Sequence, residues 1–394
     1  MSLTHPQSLS SMLGVAMRIA QRMGIHNESS NSKHTILEAE MRRRLWWSLV
    51  MFDSRICELA NAKVTYLDLT WDCHLPLNVS DSDLRDEMKE PPSGQLQMSE
   101  SVFSVVRAEM GNALRQSSFY LNLVNPRLAL MIQPSQQDQA ASSLAEKLEQ
   151  QLEQHYFRFC NEDNPLHLMT MWTARIFLSK YSMIERITSS EANDGSRNLK
   201  HAFRMLECDT NILSNPALRG YIWYLNAYFP FPAYLHIVRN IKQETPPEIA
   251  ERAWKLMNDN FEARFSTLKL SDNSSFKALA GITLQAWEVL DAGCRAAGNP
   301  MKTPEVVTRI KERIAQAQQD TENMSLSGSM SDDANNYAGI APMLSMDFGN
   351  FTFGEVNSGQ SSGFGIDLGS SMGMNSDAMN LGNMDWAASF NRGW

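Results

Sequence analysis

The sequence predicts an all-α protein: a multi-helix domain over residues 1–320, followed by a disordered acidic tail over 321–394. Three observations carry this expectation. Apolar residues recur at steps of three and four through most of the first 320 residues. Three hydroxyl-x-x-Glu pairs, Thr35/Glu38, Ser143/Glu146 and Thr245/Glu248, open such runs as capping boxes do. No segment shows the sustained apolar–polar alternation of a half-buried strand.

The first helix is read over Leu9 to Met23. Leu9, Leu13, Ala16, Ala20 and Met23 form one face, widened by Met12 and Ile19, and Gly24 followed by Ile25 supplies a C-terminal stop. A polar loop over Asn27 to Lys33 leads into the densest stretch, Thr35 to Ala60, TILEAEMRRRLWWSLVMFDSRICELA. Its main stripe is Leu37, Met41, Leu45, Leu49, Phe52, Ile56 and Leu59. A second stripe, Trp46, Val50 and Cys57, includes Asp53. So apolar a helix is expected in the core. Glu38–Arg42 and Glu40–Arg44 have the favourable i,i+4 order. A buried Asp53 needs a partner, because an unpaired carboxylate there costs several kcal/mol or neutralises. Arg18, Arg22, Arg43 and Arg44 are the candidates, and Asp53→Ala is expected to cost about 3–5 kcal/mol.

Val64 to Asn78 reads as an extended connection, interrupted by Pro76 and the Ser-Asp-Ser-Asp run at 80–83. Helical patterns resume over 99–122, 143–159, 166–189 and 198–214. Pro230 and Pro232 must kink or interrupt the aromatic segment Tyr221 to Val238. A helix then starts at Thr245-Pro246-Pro247-Glu248, and further helices are read over 275–294 and 304–319.

Charge is uneven. The chain carries −9 overall, of which −7 lies after residue 320, together with eleven of the twenty glycines. Such a tail cannot bury enough apolar surface to offset chain entropy. Neither part shows the basic face of a nucleic-acid binder, so contact with DNA is expected only indirectly. The five cysteines are scattered singly, which argues for a reducing compartment and against a disulfide framework or structural zinc site. No stretch reaches about 18 consecutive apolar residues, so no membrane-spanning helix is predicted.

Each chemical constellation has a plainer alternative. Arg42, Arg43 and Arg44 beside Trp46 and Trp47 read as helix packing, with the arginines solvated or stacked on indole, rather than as a phosphate or import site. A helical magnesium-dependent diphosphate enzyme would need acidic metal motifs. Asp81-Ser82-Asp83, Asp332-Asp333 and the run Asn258 to Glu262 lack the required third ligand or spacing. The eight histidines are isolated, and no phosphate loop or nucleophile elbow is present. No cofactor is predicted and no enzyme activity. In the tail, Met346-Asp347-Phe348, Ile366-Asp367-Leu368 and Met384-Asp385-Trp386 set an acid among bulky apolar residues. Phe348, Ile366, Leu368 and Trp386 are therefore the expected contacts to coactivator grooves.

Several runs carry a family resemblance: Leu13 to Ala20, Met23-Gly24-Ile25-His26, Glu40 to Trp47 with its three arginines, Asp53-Ser54-Arg55, and Leu75-Pro76-Leu77-Asn78 with Asp81 and Leu84. In order and spacing they resemble the middle homology region of fungal zinc-cluster transcription factors. The likeness is strongest over 9–84. It departs at Asn61-Ala62-Lys63, where the family usually has Gly-Arg-Pro, and the family's six-cysteine zinc module is absent. The resemblance implies an all-α regulatory domain, here N-terminally incomplete, in a nuclear transcription regulator of metabolic genes, such as a secondary-metabolite cluster. Glu40, Arg42, Arg43, Arg44, Trp46, Trp47, Asp53 and Arg55 match its motif as structural residues. DNA targeting would come from a missing N-terminal module or a partner, including a homo- or heterodimer with a zinc-cluster relative. The rival to an activator is a regulator that sequesters a full-length relative.

Overall fold

The computed structural model describes residues 6–60, 71–92, 98–116, 144–188, 195–225, 228–242, 245–266 and 274–326. Its described residues form twelve α-helices with short 3-10 turns and no strand. They are α1 (Pro6–Arg22), α2 (Glu28–Asn31), α3 (Ile36–Ala60), α4 (Val102–Gln116), α5 (Leu144–His155) and α6 (Pro165–Thr188). There follow α7 (Gly195–Ser214), α8 (Ile222–Leu225), α9 (Phe231–Asn240), α10 (Pro247–Phe265), α11 (Ser274–Ala296) and α12 (Glu305–Leu326). None of them is long and apolar enough to cross a membrane. The tail, with Phe348, Ile366, Leu368 and Trp386, lies outside the described residues, as do Asn61-Ala62-Lys63 and Ser143.

The helices pack in sequence order: α1 on α3, α3 on α4, α4 on α6, α6 on α7, and α7 on α9 and α10. One cluster joins α1, α3, Trp71 and α4. A second joins α4, α5 and α6 through Val106, Leu152 and Leu178. The largest joins α6, α7 and α9–α12 around Leu206, Tyr234, Phe261 and Phe276. The long α6 touches all of these, and its Phe177 packs on both of the first two.

Local starts and stops follow sequence chemistry, with three adjustments. Gly24 takes φ +70°, and the Ile25 N–H reaches back to the Ala20 carbonyl at 3.0 Å, the two features of a Schellman stop. A β-carbon on Gly24 would come within 2.5 Å of Ser30 Oγ. Gly24→Ala is therefore expected to cost about 1–2 kcal/mol, read as a drop in the urea midpoint with unchanged slope. Thr35 forms half of a capping box: its Oγ1 accepts from the Glu38 N–H at 3.3 Å. The Glu38 carboxylate instead takes His34 and Arg42, because a charged partner outcompetes a backbone amide. At α10 the N-cap is Pro246, and Thr245 closes the preceding turn onto the Asn240 carbonyl. The last helix runs to Leu326, six residues past the expected boundary at 320, because no glycine interrupts it before Gly328. Pro230 caps α9 and Pro232 lies in its first turn, which is how the aromatic segment is broken.

The helix faces of the first hairpin differ from expectation. On α3 the buried face is Ala39, Glu40, Trp46, Trp47, Val50, Asp53 and Ile56, whereas Met41, Leu45 and Phe52 of the supposed main stripe are exposed. Periodicity draws both stripes equally well; the two indoles decide, because they offer the most area to remove from water. On α1, Leu13, Met17 and Ala20 are buried, while Met12 and Ile19, and Met23 just past its end, point outward.

Candidate functional site

The residues of the Glu-x-Arg-Arg-Arg-x-Trp-Trp run in α3 build one device. They seat the extended segment Trp71–Ser80 across the helix. Trp47 donates its indole N–H to the His74 carbonyl at 2.9 Å. Glu40, fully buried, accepts from the Leu77 N–H at 3.0 Å and from Arg44 Nε at 2.9 Å. Arg44 also reaches Asp81 Oδ1 at 2.5 Å. Arg43 donates to Glu28, which also accepts from the His74 N–H at 3.0 Å, and lies 3.8 Å from Glu40. The Glu28 N–H in turn donates to Asp72 Oδ1 at 2.8 Å. Three carboxylates and two guanidiniums thus alternate from α2 through α3 to the 3-10 turn at 81–83.

The arginines are therefore neither solvated nor stacked on Trp46 and Trp47. Arg42 bonds Glu38 and donates to the Met23 carbonyl at 3.0 Å, covering an orphan acceptor at the end of α1. The arginine that lies on an indole is Arg115, 3.8 Å from the Trp71 ring centroid, and it also donates to the Trp71 carbonyl. Trp71 meets Trp46 and Trp47 edge-on, with centroids at 5.5 and 5.1 Å. Across this contact α4 comes close: a β-carbon on Gly111 would lie 2.8 Å from Met51 Sδ and 3.3 Å from Trp47. Asp53 is buried. Of its four candidate partners, Arg43 and Arg44 serve Glu28, Glu40 and Asp81, and Arg18 and Arg22 are exposed on α1. Arg55 bonds Glu58 at 2.6 Å and lies 4.9 Å from the Tyr228 ring, while Glu58 pairs with Lys180; together they tie the end of α3 to α6.

Glu28, Trp71, Gly111 and Arg115 complete this device and were not picked out by periodicity. Each sits outside the α3 run, and only the packing brings it there.

Half-buried Glu28 and fully buried Glu40 respond oppositely to their surroundings. Burial pushes Glu28 up, but the Arg43 bond, the His74 N–H and nearby positive charge outweigh it, so its carboxyl falls below 4.5. For Glu40 burial is the largest influence and wins over Arg44, Leu77 and Arg43, so its carboxyl rises above 4.5. Glu28 binds its proton less tightly folded than unfolded. Its contribution is complete above about 4.5 and is lost as pH falls through the depressed value. Glu40 binds its proton more tightly folded, so stability is lost as pH rises from 4.5 through the raised value. The stability gap between wild type and Glu28→Gln is thus expected to widen with pH, and that for Glu40→Gln to narrow. Urea unfolding across the acid range checks this; two gaps moving in the same direction would contradict the assignment.

Of the acidic runs weighed as metal motifs, Asp332-Asp333 lies outside the described residues and the other two have other uses. Asp81 holds Arg44, Asp259 holds Lys255 and Glu262 holds Arg309, each at 2.5 Å. Asn260 is buried against Asp209 at 2.7 Å. Among the described residues no group of three or more His, Cys, Asp or Glu side chains is arranged to hold a metal ion.

Comparison with known proteins adds an independent line. Residues 2–157 match the fungal specific transcription factor domain. The chain is 43% identical over 323 residues to transcriptional regulator AacuB of Aspergillus aculeatus, covering 79% of this chain and 44% of that protein. It is 39% identical to transcriptional regulator nsrM of Aspergillus novofumigatus, covering 79% and 43%. It is 27% identical to aurofusarin cluster transcription factor aurR2 of Gibberella zeae, covering 78% and 46%. The chain thus spans less than half the length of these relatives. No solved structure matches it.

Proposed function

Residues 2–157 belong to the fungal specific transcription factor domain family, and from that premise we propose that the chain acts in transcription, regulating a secondary-metabolite gene cluster. The observation that carries this reading is the likeness to transcriptional regulators along 79% of the chain, one of them named for the aurofusarin cluster. The α3 device lies within the matched residues and is part of the domain's packing. Its charges hold the chain's own backbone at His74 and Leu77. The place of action is the nucleus. DNA is reached through a zinc-cluster module or a partner, and the acid–apolar clusters around Phe348, Ile366, Leu368 and Trp386 recruit coactivators.

Deleting the gene and measuring transcripts of the biosynthetic genes beside it under producing conditions tests the reading. The expected result is a fall of at least several-fold in the whole set, restored by complementation; unchanged transcripts overturn it. A rise in place of a fall identifies a repressor acting by sequestration. The tail is tested by joining residues 321–394 to a heterologous DNA-binding domain. Reporter output should rise, and Phe348→Ala with Trp386→Ala should reduce it; no output from the fusion overturns the coactivator assignment.

A further inference from the structure

The corner between α5 and α6, residues 156–164, is tied at each end by an ionisable side chain, and the two ties differ. At its start the Tyr156 hydroxyl donates to Glu109 Oε1 on α4 at 3.0 Å. A carboxyl group keeps an oxygen that can accept from that hydroxyl whether or not it holds a proton, so this tie survives acid. At its far end the Asn161 N–H donates to His167 Nδ1 at 2.9 Å. That bond fixes the tautomer: Nδ1 is the acceptor, the ring proton sits on Nε2, and the imidazole is neutral. His167 is 8% exposed in the first turn of α6, where Asn164 Oδ1 accepts from the Leu166 N–H at 2.9 Å as a helix cap does. Asn161 to Asn164 are all exposed. Two further bonds lie within the loop itself, from the Asp163 N–H to Asn161 Oδ1 at 2.9 Å and from the Asn164 N–H to the Asn161 carbonyl at 3.1 Å.

We propose that this corner is a proton-sensitive clasp, closed by neutral His167 and released when the ring takes a second proton. A proton on Nδ1 sets one donor against another at 2.9 Å, so the bond to Asn161 does not survive it. While the clasp is shut, two effects oppose the charge. Burial disfavours it and holds the ring below its ordinary 6.5. The amides of the first turn of α6 also present the positive end of the helix dipole. Once the clasp is open, the ring reaches water in a loop that carries the exposed carboxylates of Glu162 and Asp163, which favour the charged form. The elements packed around the corner bring other charges: Arg107 and Glu109 on α4, Glu153 and His155 on α5, and Arg158 in the 3-10 turn at 157–159. Arg175 lies further along α6, and α7 and the 3-10 turn at 216–221 carry Asp209 and Arg219. Burial alone shifts His167, so these groups do not set its titration in the closed form. The ring binds its proton more weakly folded than unfolded. The clasp is therefore fully stable above 6.5 and loses stability as pH falls through the lowered value. The corner stands where the match to the transcription factor domain ends, at residue 157, and leads into α6, on which the three clusters meet. Its release frees the N-terminal anchor of that helix, whichever genes the chain regulates.

The test is hydrogen-exchange mass spectrometry of the full chain at two pH values above its isoelectric point near 5.5, with rates corrected for the intrinsic pH dependence of exchange. Between about pH 8 and about pH 6, protection of the peptide spanning 157–166 is expected to fall roughly three- to fourfold. That is the change given by a group of ordinary value 6.5 that titrates in the open form and hardly at all in the closed one. Peptides from the middle of α6 and from α10 should not change. In His167→Asn, whose Oδ1 can stand in for Nδ1 and cannot titrate, protection should be kept and its pH dependence lost. In His167→Ala protection should be low at both values. If either variant does not fold, the wild-type ring is read by long-range proton–nitrogen correlation, which should show the proton on Nε2 at the higher pH. A proton on Nδ1 overturns the proposal. So does wild-type protection that is equal at both pH values, a pH dependence retained in His167→Asn, or an equal loss along the whole chain.

Discussion

Asp209→Ala is expected to destabilise the domain by about 3–5 kcal/mol, as removal of one partner of a buried ion pair does. Asp209 on α7 is fully buried, and Arg264 on α10 nearly so. The guanidinium meets the carboxylate with two nitrogens, Nε at 2.7 Å from Oδ2 and a terminal nitrogen on Oδ1. The same Oδ2 accepts from Asn260 at 2.7 Å, and Asn260 Oδ1 accepts from the Tyr234 hydroxyl at 2.7 Å. Arg264 also lies over the Phe229 ring and donates to the Tyr228 carbonyl. Without Asp209, the guanidinium loses its charged partner and keeps just the Tyr228 carbonyl, while the Asn260 amide keeps just Thr210 Oγ1. Asp209→Asn keeps the shape and one acceptor, so it should cost less. Denaturant unfolding of both variants checks the order, and an Asp209→Ala protein as stable as wild type would mean water reaches Arg264.

Trp46→Ala is the second large effect, at about 3–5 kcal/mol for an aromatic core truncation. Trp46 is fully buried, edge-on to Trp71 and 5.7 Å from the His26 ring. Its removal opens a void that helix backbones on either side cannot close, because α1 and α4 are already held by Arg42 and by the close approach at Gly111. Trp46→Phe should recover about half of that loss by refilling most of the volume. Leu45→Ala, next in sequence but exposed, should change stability by no more than about 0.5 kcal/mol. Equal effects at 45 and 46 would reverse the assignment of the buried face.

Much of the architecture was legible beforehand. The spacing of apolar residues located the long helices, because that spacing directly encodes a buried stripe. The glycine at 24 and the prolines at 230, 232 and 247 announced breaks and starts, because their backbone restrictions act wherever they stand. The burial of Asp53 followed from its place in the Trp46–Val50 stripe. What periodicity left open was which of two adjacent stripes on α3 faces inward, since both are helical and both apolar. It also left open the partners of Arg43 and Arg44, which come from α2 and the turn at 81–83. Asp209 and Arg264, 55 residues apart, gave no local sign of pairing.

By itself the sequence determined the helical class, the order of most helices and the motif that lies within the match to the fungal specific transcription factor domain. All of these depend on residues close together in the chain. Only the tertiary structure decided that the Arg-Arg-Arg run holds backbone together with Glu28, Glu40 and Asp81, that Trp71 and Arg115 complete the aromatic core, and that Met41, Leu45 and Phe52 of α3 are exposed. Those outcomes depend on which surfaces meet, and long-range contact is set by total buried area and charge pairing rather than by spacing along one helix.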